Sequence, residues 1–124
     1  MGADAMTLNE AETLLAVHLQ ELGLHFEPHY RYVPGRKFEA DFAVWWATHE
    51  QLPTSTVDRR FALIEVVGGV YSKQAHGSVT GILKDNERLW WAFRSHWHMV
   101  RVTPDQVKDG TARAMIAEAL GREP

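Results

Sequence analysis

The segment Phe61-Ala62-Leu63-Ile64-Glu65-Val66-Val67 is apolar at every position except one. An unbroken apolar run of this length, rich in β-branched residues, is the pattern of a strand buried on both faces. Such a strand needs cover on each side, so the chain must supply a sheet with helices packed against it. With 124 residues and 45% hydrophobic content it can build one core of that kind. A single domain over 1–124 is therefore expected.

Periodicity supplies the rest of the layout. Leu8, Ala11, Leu15, Leu19 and Leu22 recur at three- and four-residue steps, which predicts a helix over Leu8–Leu22 capped by Thr7 or Asn9 and stopped by Gly23. Residues 1–6 read as a disordered tail. Strands are expected over His29–Val33, Phe38–Trp45 and Phe61–Val67, the first two joined as a hairpin at Pro34-Gly35. The polar stretch 47–60, with Pro53 and Thr54-Ser55-Thr56, reads as a flexible surface loop. After Gly68-Gly69 and an irregular stretch, Ile82, Leu83, Asn86, Leu89, Trp90 and Phe93 trace a second helix ending near Ser95. His96–Val102 reads as a fourth strand, Thr103-Pro104-Asp105 as a turn or cap, and Thr111–Leu120 as a closing helix stopped by Gly121. The expected fold is α/β in the order α-β-β-β-α-β-α, with a mixed four-stranded sheet, flanking helices and a right-handed crossover.

Cysteine is absent, which excludes disulfides, thiolate zinc sites, iron–sulfur clusters and a cysteine nucleophile. Any metal must be held by oxygen or imidazole. No apolar run approaches the length of a membrane span, and the first residues lack a signal-peptide pattern, so a soluble cytoplasmic protein with no membrane partner is expected. A formal charge of -3 offers no global attraction to nucleic acid, so DNA binding would rest on a local surface and bound cations.

Three carboxylates stand where apolar residues are expected. Glu65 interrupts the buried strand, where an unpaired ionised carboxylate costs on the order of several kcal/mol. It needs either a cation or an arginine such as Arg31 or Arg101. Asp41 lies in Phe38-Glu39-Ala40-Asp41-Phe42-Ala43-Val44-Trp45, where alternation puts Phe38, Ala40, Phe42 and Val44 on one face and Asp41 on the other. It belongs either to an exposed strand face or to a site. Glu12 projects from the apolar side of the first helix, as a residue at the edge of the core or as a third member of a metal site. Two carboxylates on adjacent strands, with the Val66 carbonyl, can hold one hard cation, and Mg²⁺ retains waters that can attack a phosphodiester.

These residues resemble the PD-(D/E)xK nuclease superfamily, and more closely the small phage and prophage endonuclease-like proteins related to Holliday-junction resolvases and the VRR-NUC group. The likeness runs from Glu12 to Leu120 through Phe38-Glu39-Ala40-Asp41-Phe42, Glu65-Val66-Val67-Gly68-Gly69, His76, Gly81, Asp85, Arg88 and Trp97-His98-Met99-Val100-Arg101-Val102-Thr103. It implies a restriction-endonuclease-like fold and a Mg²⁺-dependent DNA endonuclease, with Mn²⁺ as a substitute, acting on branched or structured DNA in a bacterial or phage-infected cell. Under it Asp41, Glu65 and Val66 bind metal, Glu12 orients a metal water or a second ion, and a homodimer would supply two sites for two cuts.

The chain departs from the signature at Val67, where a lysine normally positions the attacking water. Lys73 or Lys84 could replace it, His76 or a metal-bound water could do its work, or the fold could be a catalytically inactive DNA-binding or assembly subunit. Arg36-Lys37, Lys73, Lys84 and Arg88 are the expected DNA contacts, with solvated surface charge as the alternative. Asp85, Glu87 and Arg88 read as a salt-bridge ladder or, under the resemblance, place Asp85 or Arg88 at the site. Of the five tryptophans, Trp46 and Trp91 are the expected interface residues, and His96 and His98 would share a strand face.

Overall fold

The computed structural model describes residues 6–46, 61–68 and 79–121. The loop expected over 47–60 and the first five residues lie outside them. Met6 packs, partly buried, against the core.

The first helix, α1, spans Leu8–Glu21. Thr7 and Glu10 close a capping box, each side chain accepting from the other's backbone N–H at 3.1 Å, so the helix start is set by sequence. Ala11, Leu15 and Leu19 form its buried stripe. Four strands follow in the sheet order β1-β2-β3-β4: β1 Leu24–Arg31, β2 Glu39–Trp46, β3 Phe61–Val66 and β4 Met99–Val102. The first three are antiparallel, and β4 joins β3 in parallel. A parallel neighbour requires a crossover, supplied by α2, Val79–Arg94. Two helices complete the chain, α3 at Pro104–Asp109 and α4 at Thr111–Leu120.

Alternation along β3 explains the layering. Ala62, Ile64 and Val66 join Leu15, Leu19, Val107 and Ile116 in one apolar cluster, beneath α1, α3 and α4. Leu63 points to the other side, into a cluster with Ala40, Ala43, Trp45, Ala92 and Trp97, where α2 lies. The strand is covered on both faces, and the mixed α/β sheet has the architecture its apolar run requires.

Several boundaries differ from those read in the sequence. The first strand starts at Leu24 and ends at Arg31, before Tyr32 and Val33, which are nevertheless buried. Its interior Pro28 is tolerated because β1 is an edge strand. The fourth strand begins only at Met99, because the Trp97 and His96 amides still donate to Ala92 and Phe93 of the helix end, and His96 has φ 64°. The shared strand face for His96 and His98 therefore fails. Of the turn or cap expected at Thr103-Pro104-Asp105, the structure has the cap: Thr103 forms a second capping box with Gln106 and starts α3, a helix the sequence reading did not include. Phe38, just before β2, and Ala40 within it pack with the α2-side cluster while Phe42 and Val44 pack on the α1 side, so strict alternation breaks at Asp41. Trp46, an expected interface residue, is buried in the core, whereas Trp90 is 56% exposed. Trp91 is half-buried with the Arg36 and Arg94 guanidiniums about its ring, at 5.2 and 5.0 Å from the centroid.

Candidate functional site

Strand register assembles a row of polar residues across one end of the sheet. In β1 and β2, Pro28 faces Phe42 and Tyr30 faces Ala40, so His29 stands opposite Asp41. The β2–β3 ladder ends with Phe42 against Ile64, which makes Asp41 and Glu65 the next residues outward. Glu65 in turn pairs in register with Arg101. Each strand thus contributes one residue: His29, Asp41, Glu65, Arg101.

The row is distorted where it becomes polar. His29 has φ 52°, a left-handed conformation costing on the order of 1 kcal/mol that histidine adopts more readily than most residues. Asp41 Oδ2 accepts the Val66 N–H at 2.7 Å, so a side chain occupies the amide just beyond the end of the β2–β3 ladder. On the α1 side, Gly68 permits close approach, since a Cβ there would meet the Leu8 side chain at 2.6 Å. Leu8 and Glu12 are one turn apart on one side of α1. Glu12, His29 and Asp41 offer ligand atoms that all lie within 4.8 Å of one another.

Glu65 is 5% exposed. Its Oε1 accepts from Arg101 Nε at 3.2 Å, and its Oε2 from Arg88 Nη2. Arg88 Nη2 also donates to the Glu39 carbonyl at 2.7 Å, and Arg101 Nη2 to Asp85 Oδ1 at 3.3 Å. Of the two arrangements the sequence left open for Glu65, cation or arginine, the structure has the arginine one, with Arg101 and additionally Arg88. Arg31 instead faces Glu39 at 3.7 Å. Asp41, Glu65, Val66, Val67, Asp85, Arg88 and Arg101 line an open cleft of about 190 Å³.

Charge is unevenly settled around this cleft. Arg88 and Arg101 offset Glu65 and Asp85, which leaves the Asp41 and Glu12 carboxylates without a guanidinium in salt-bridge contact among the described residues. Burial pushes the Asp41 carboxyl above its ordinary range, reinforced by the Glu65 charge, and this outweighs the downward pull of the Val66 amide, Arg88 and His29. Burial also raises Glu12, with the adjacent Asp41 charge adding to it and His29 opposing. Burial disfavours the Arg88 charge, but the Glu65 carboxylate and the other nearby anions hold its pKa above the usual value. Two half-buried carboxylates that favour their protons, beside an imidazole, form a donor set suited to a divalent cation.

The other expected site residues are dispersed. His76 and Lys73 lie outside the described residues. Lys84 is exposed on α2, Lys37 is exposed between β1 and β2, and Arg36 pairs with Glu87 at 3.6 Å rather than lining the cleft. Asp85 and Arg88 do face the cleft, while Glu87 does not line it. His29 carried no recognisable signal beyond its place at the start of a predicted strand. Its position beside Asp41 depends on register and on a backbone conformation that no local pattern announces.

Comparison with protein-family models, with curated proteins and with solved structures returns no match.

Proposed function

We propose that the protein is a divalent-cation-dependent phosphodiester hydrolase acting on DNA. The observation that carries this reading is the cluster of Glu12, His29 and Asp41 ligand atoms within 4.8 Å of one another, with Asp41 also lining the open cleft that Arg88 and Arg101 share. Asp41 and Glu12 would hold Mg²⁺ or Mn²⁺, with His29 as a third ligand whose imidazole suits Mn²⁺ better than Mg²⁺. When bound, the cation supplies charge stabilisation at the phosphoryl oxygens and a water of lowered pKa.

The chain's own residues do the rest. Arg88 and Arg101 line the cleft beside Asp41 and would supply guanidinium donors to a phosphate there. Glu65 orients both and keeps them from swinging into solvent. This gives the guanidiniums the charge-stabilising work that the lysine replaced by Val67 would do, and it leaves Glu65 in a positioning role.

The test is nicking of supercoiled plasmid with Mg²⁺ or Mn²⁺. Cleavage should vanish in Asp41→Asn and fall about 100- to 1,000-fold in Arg88→Met, the usual cost of one charge-stabilising donor. Cleavage that survives Asp41→Asn and Glu12→Gln would refute the assignment. A second reading, a nuclease-fold subunit that binds DNA without cutting it, is favoured by the neutralised Glu65 and by Val67 in the cleft wall. Salt-sensitive DNA binding with no cleavage in either metal would select it.

A further inference from the structure

The helix that carries Asp85 and Arg88 toward the cleft turns a different face to solvent. Ile82, Leu83, Leu89, Trp90 and Phe93 of α2 are 48%, 62%, 39%, 56% and 73% exposed. At about 100° per residue they fall in one stripe, with Asn86 in its middle, well away from Arg88 and Ala92. Trp90 and Phe93 rest against each other, ring centroids 6.1 Å apart. Taking about 150–250 Å² for a large aromatic side chain and somewhat less for an aliphatic one, the five leave roughly 600 Å² of side chain in water. That is the upper limit of the roughly 300–600 Å² patch a monomer normally tolerates.

We propose that this stripe is a homodimer interface in which α2 packs antiparallel against α2 of a second copy. Three observations favour that occupant. The line Ile82, Asn86, Leu89, Phe93 has steps of four, three and four, so it reads the same in both directions. A two-fold axis across the helix therefore brings Ile82 against Phe93 of the second copy and Asn86 against its Leu89, filling the small end with the bulky one. The 4-3-4 spacing is also that of a short coiled-coil seam. Two such stripes would bury about 1,200 Å² in total, the lower bound of the roughly 1,200–2,000 Å² typical of stable interfaces. A membrane surface is a poorer partner, because the charges of α2 are Lys84, Asp85, Glu87, Arg88 and Arg94, of both signs rather than basic. The interface is independent of the reaction proposed for the cleft.

Sedimentation of the full chain over a concentration series should give a species of twice the 14.1 kDa chain mass. Phe93→Glu and, separately, Leu83→Glu should each weaken association about 30-fold or more, as loss of an interface anchor does. Both sites are exposed, so far-UV circular dichroism should be unchanged. The protein has no cysteine, so orientation can be read by oxidising mixed Ile82→Cys and Phe93→Cys variants. The antiparallel pair predicts a disulfide between the two variants and little within either alone. A monomer at all concentrations, a dimer indifferent to both glutamate substitutions, disulfides formed within each variant alone, or binding of the monomer to vesicles in place of pairing would overturn the proposal.

Discussion

Glu65 and Asp41 are neighbours in one row of the sheet, yet their removal should have opposite effects on stability. Glu65→Gln deletes the charge that two guanidiniums share. The Glu65 side chain is 7% exposed and those of Arg88 and Arg101 are each 29% exposed, so the arginines can regain only part of their hydration. Removing one partner of a buried pair typically costs about 3–5 kcal/mol, and the partial exposure here points to about 3. For a chain of this size about 4 °C of Tm accompanies each kcal/mol, so Tm should fall by about 12 °C. Asp41→Asn removes a charge held, among the described residues, without a guanidinium in salt-bridge contact and leaves an amide oxygen to accept the Val66 N–H. In the absence of divalent metal it should raise Tm or leave it unchanged. Calorimetry with chelator at one protein concentration, backed by urea unfolding with unchanged m, measures both. The reasoning fails if Glu65→Gln lies within about 0.5 kcal/mol of wild type, or if Asp41→Asn is the more damaging change.

The carboxylate pair makes a metal-linked prediction too: at 100 times its dissociation constant Mn²⁺ should stabilise the wild type by about 2.7 kcal/mol. Thermal unfolding of Glu12→Gln and of His29→Asn, the latter chosen because asparagine tolerates a positive φ, should show a smaller shift. Because Asp41 and Glu12 have folded pKa values raised above their unfolded ones, their contribution to apo stability is full below the ordinary carboxylate range and is lost as pH rises through the raised values. Between pH 7 and that range, the double variant Asp41→Asn/Glu12→Gln should therefore gain less on acidification than wild type, and a parallel pair of stability curves would contradict the assignment. Thr103→Ala should cost about 1 kcal/mol in urea unfolding, because it opens the capping box that starts α3.

Local chemistry determined much of this protein in advance. The apolar run 61–67 demanded a doubly covered strand, the three- and four-residue steps set α1 and the exposed stripe of α2, and Thr7 and Gly23 marked where the first helix starts and stops. These signals are legible because each is written within one or two turns of chain. Boundaries failed where tertiary contacts override local preference, as at Pro28 within β1 and at Trp97, whose amide remains tied to α2.

The oddness of Glu65 was equally plain in the sequence, but its partner was not. A carboxylate in a buried strand must be neutralised, and the choice between cation and arginine depends on residues 23 and 36 positions away in the chain. Only the parallel register of β3 and β4 brings Arg101 beside it, and only the crossover of α2 brings Arg88. The same holds for His29, which faces Asp41 because two strands pair at that offset and because the backbone turns left-handed there. The need for compensation is a property of one residue and its burial, while the identity of what compensates is a property of register, which no single segment carries.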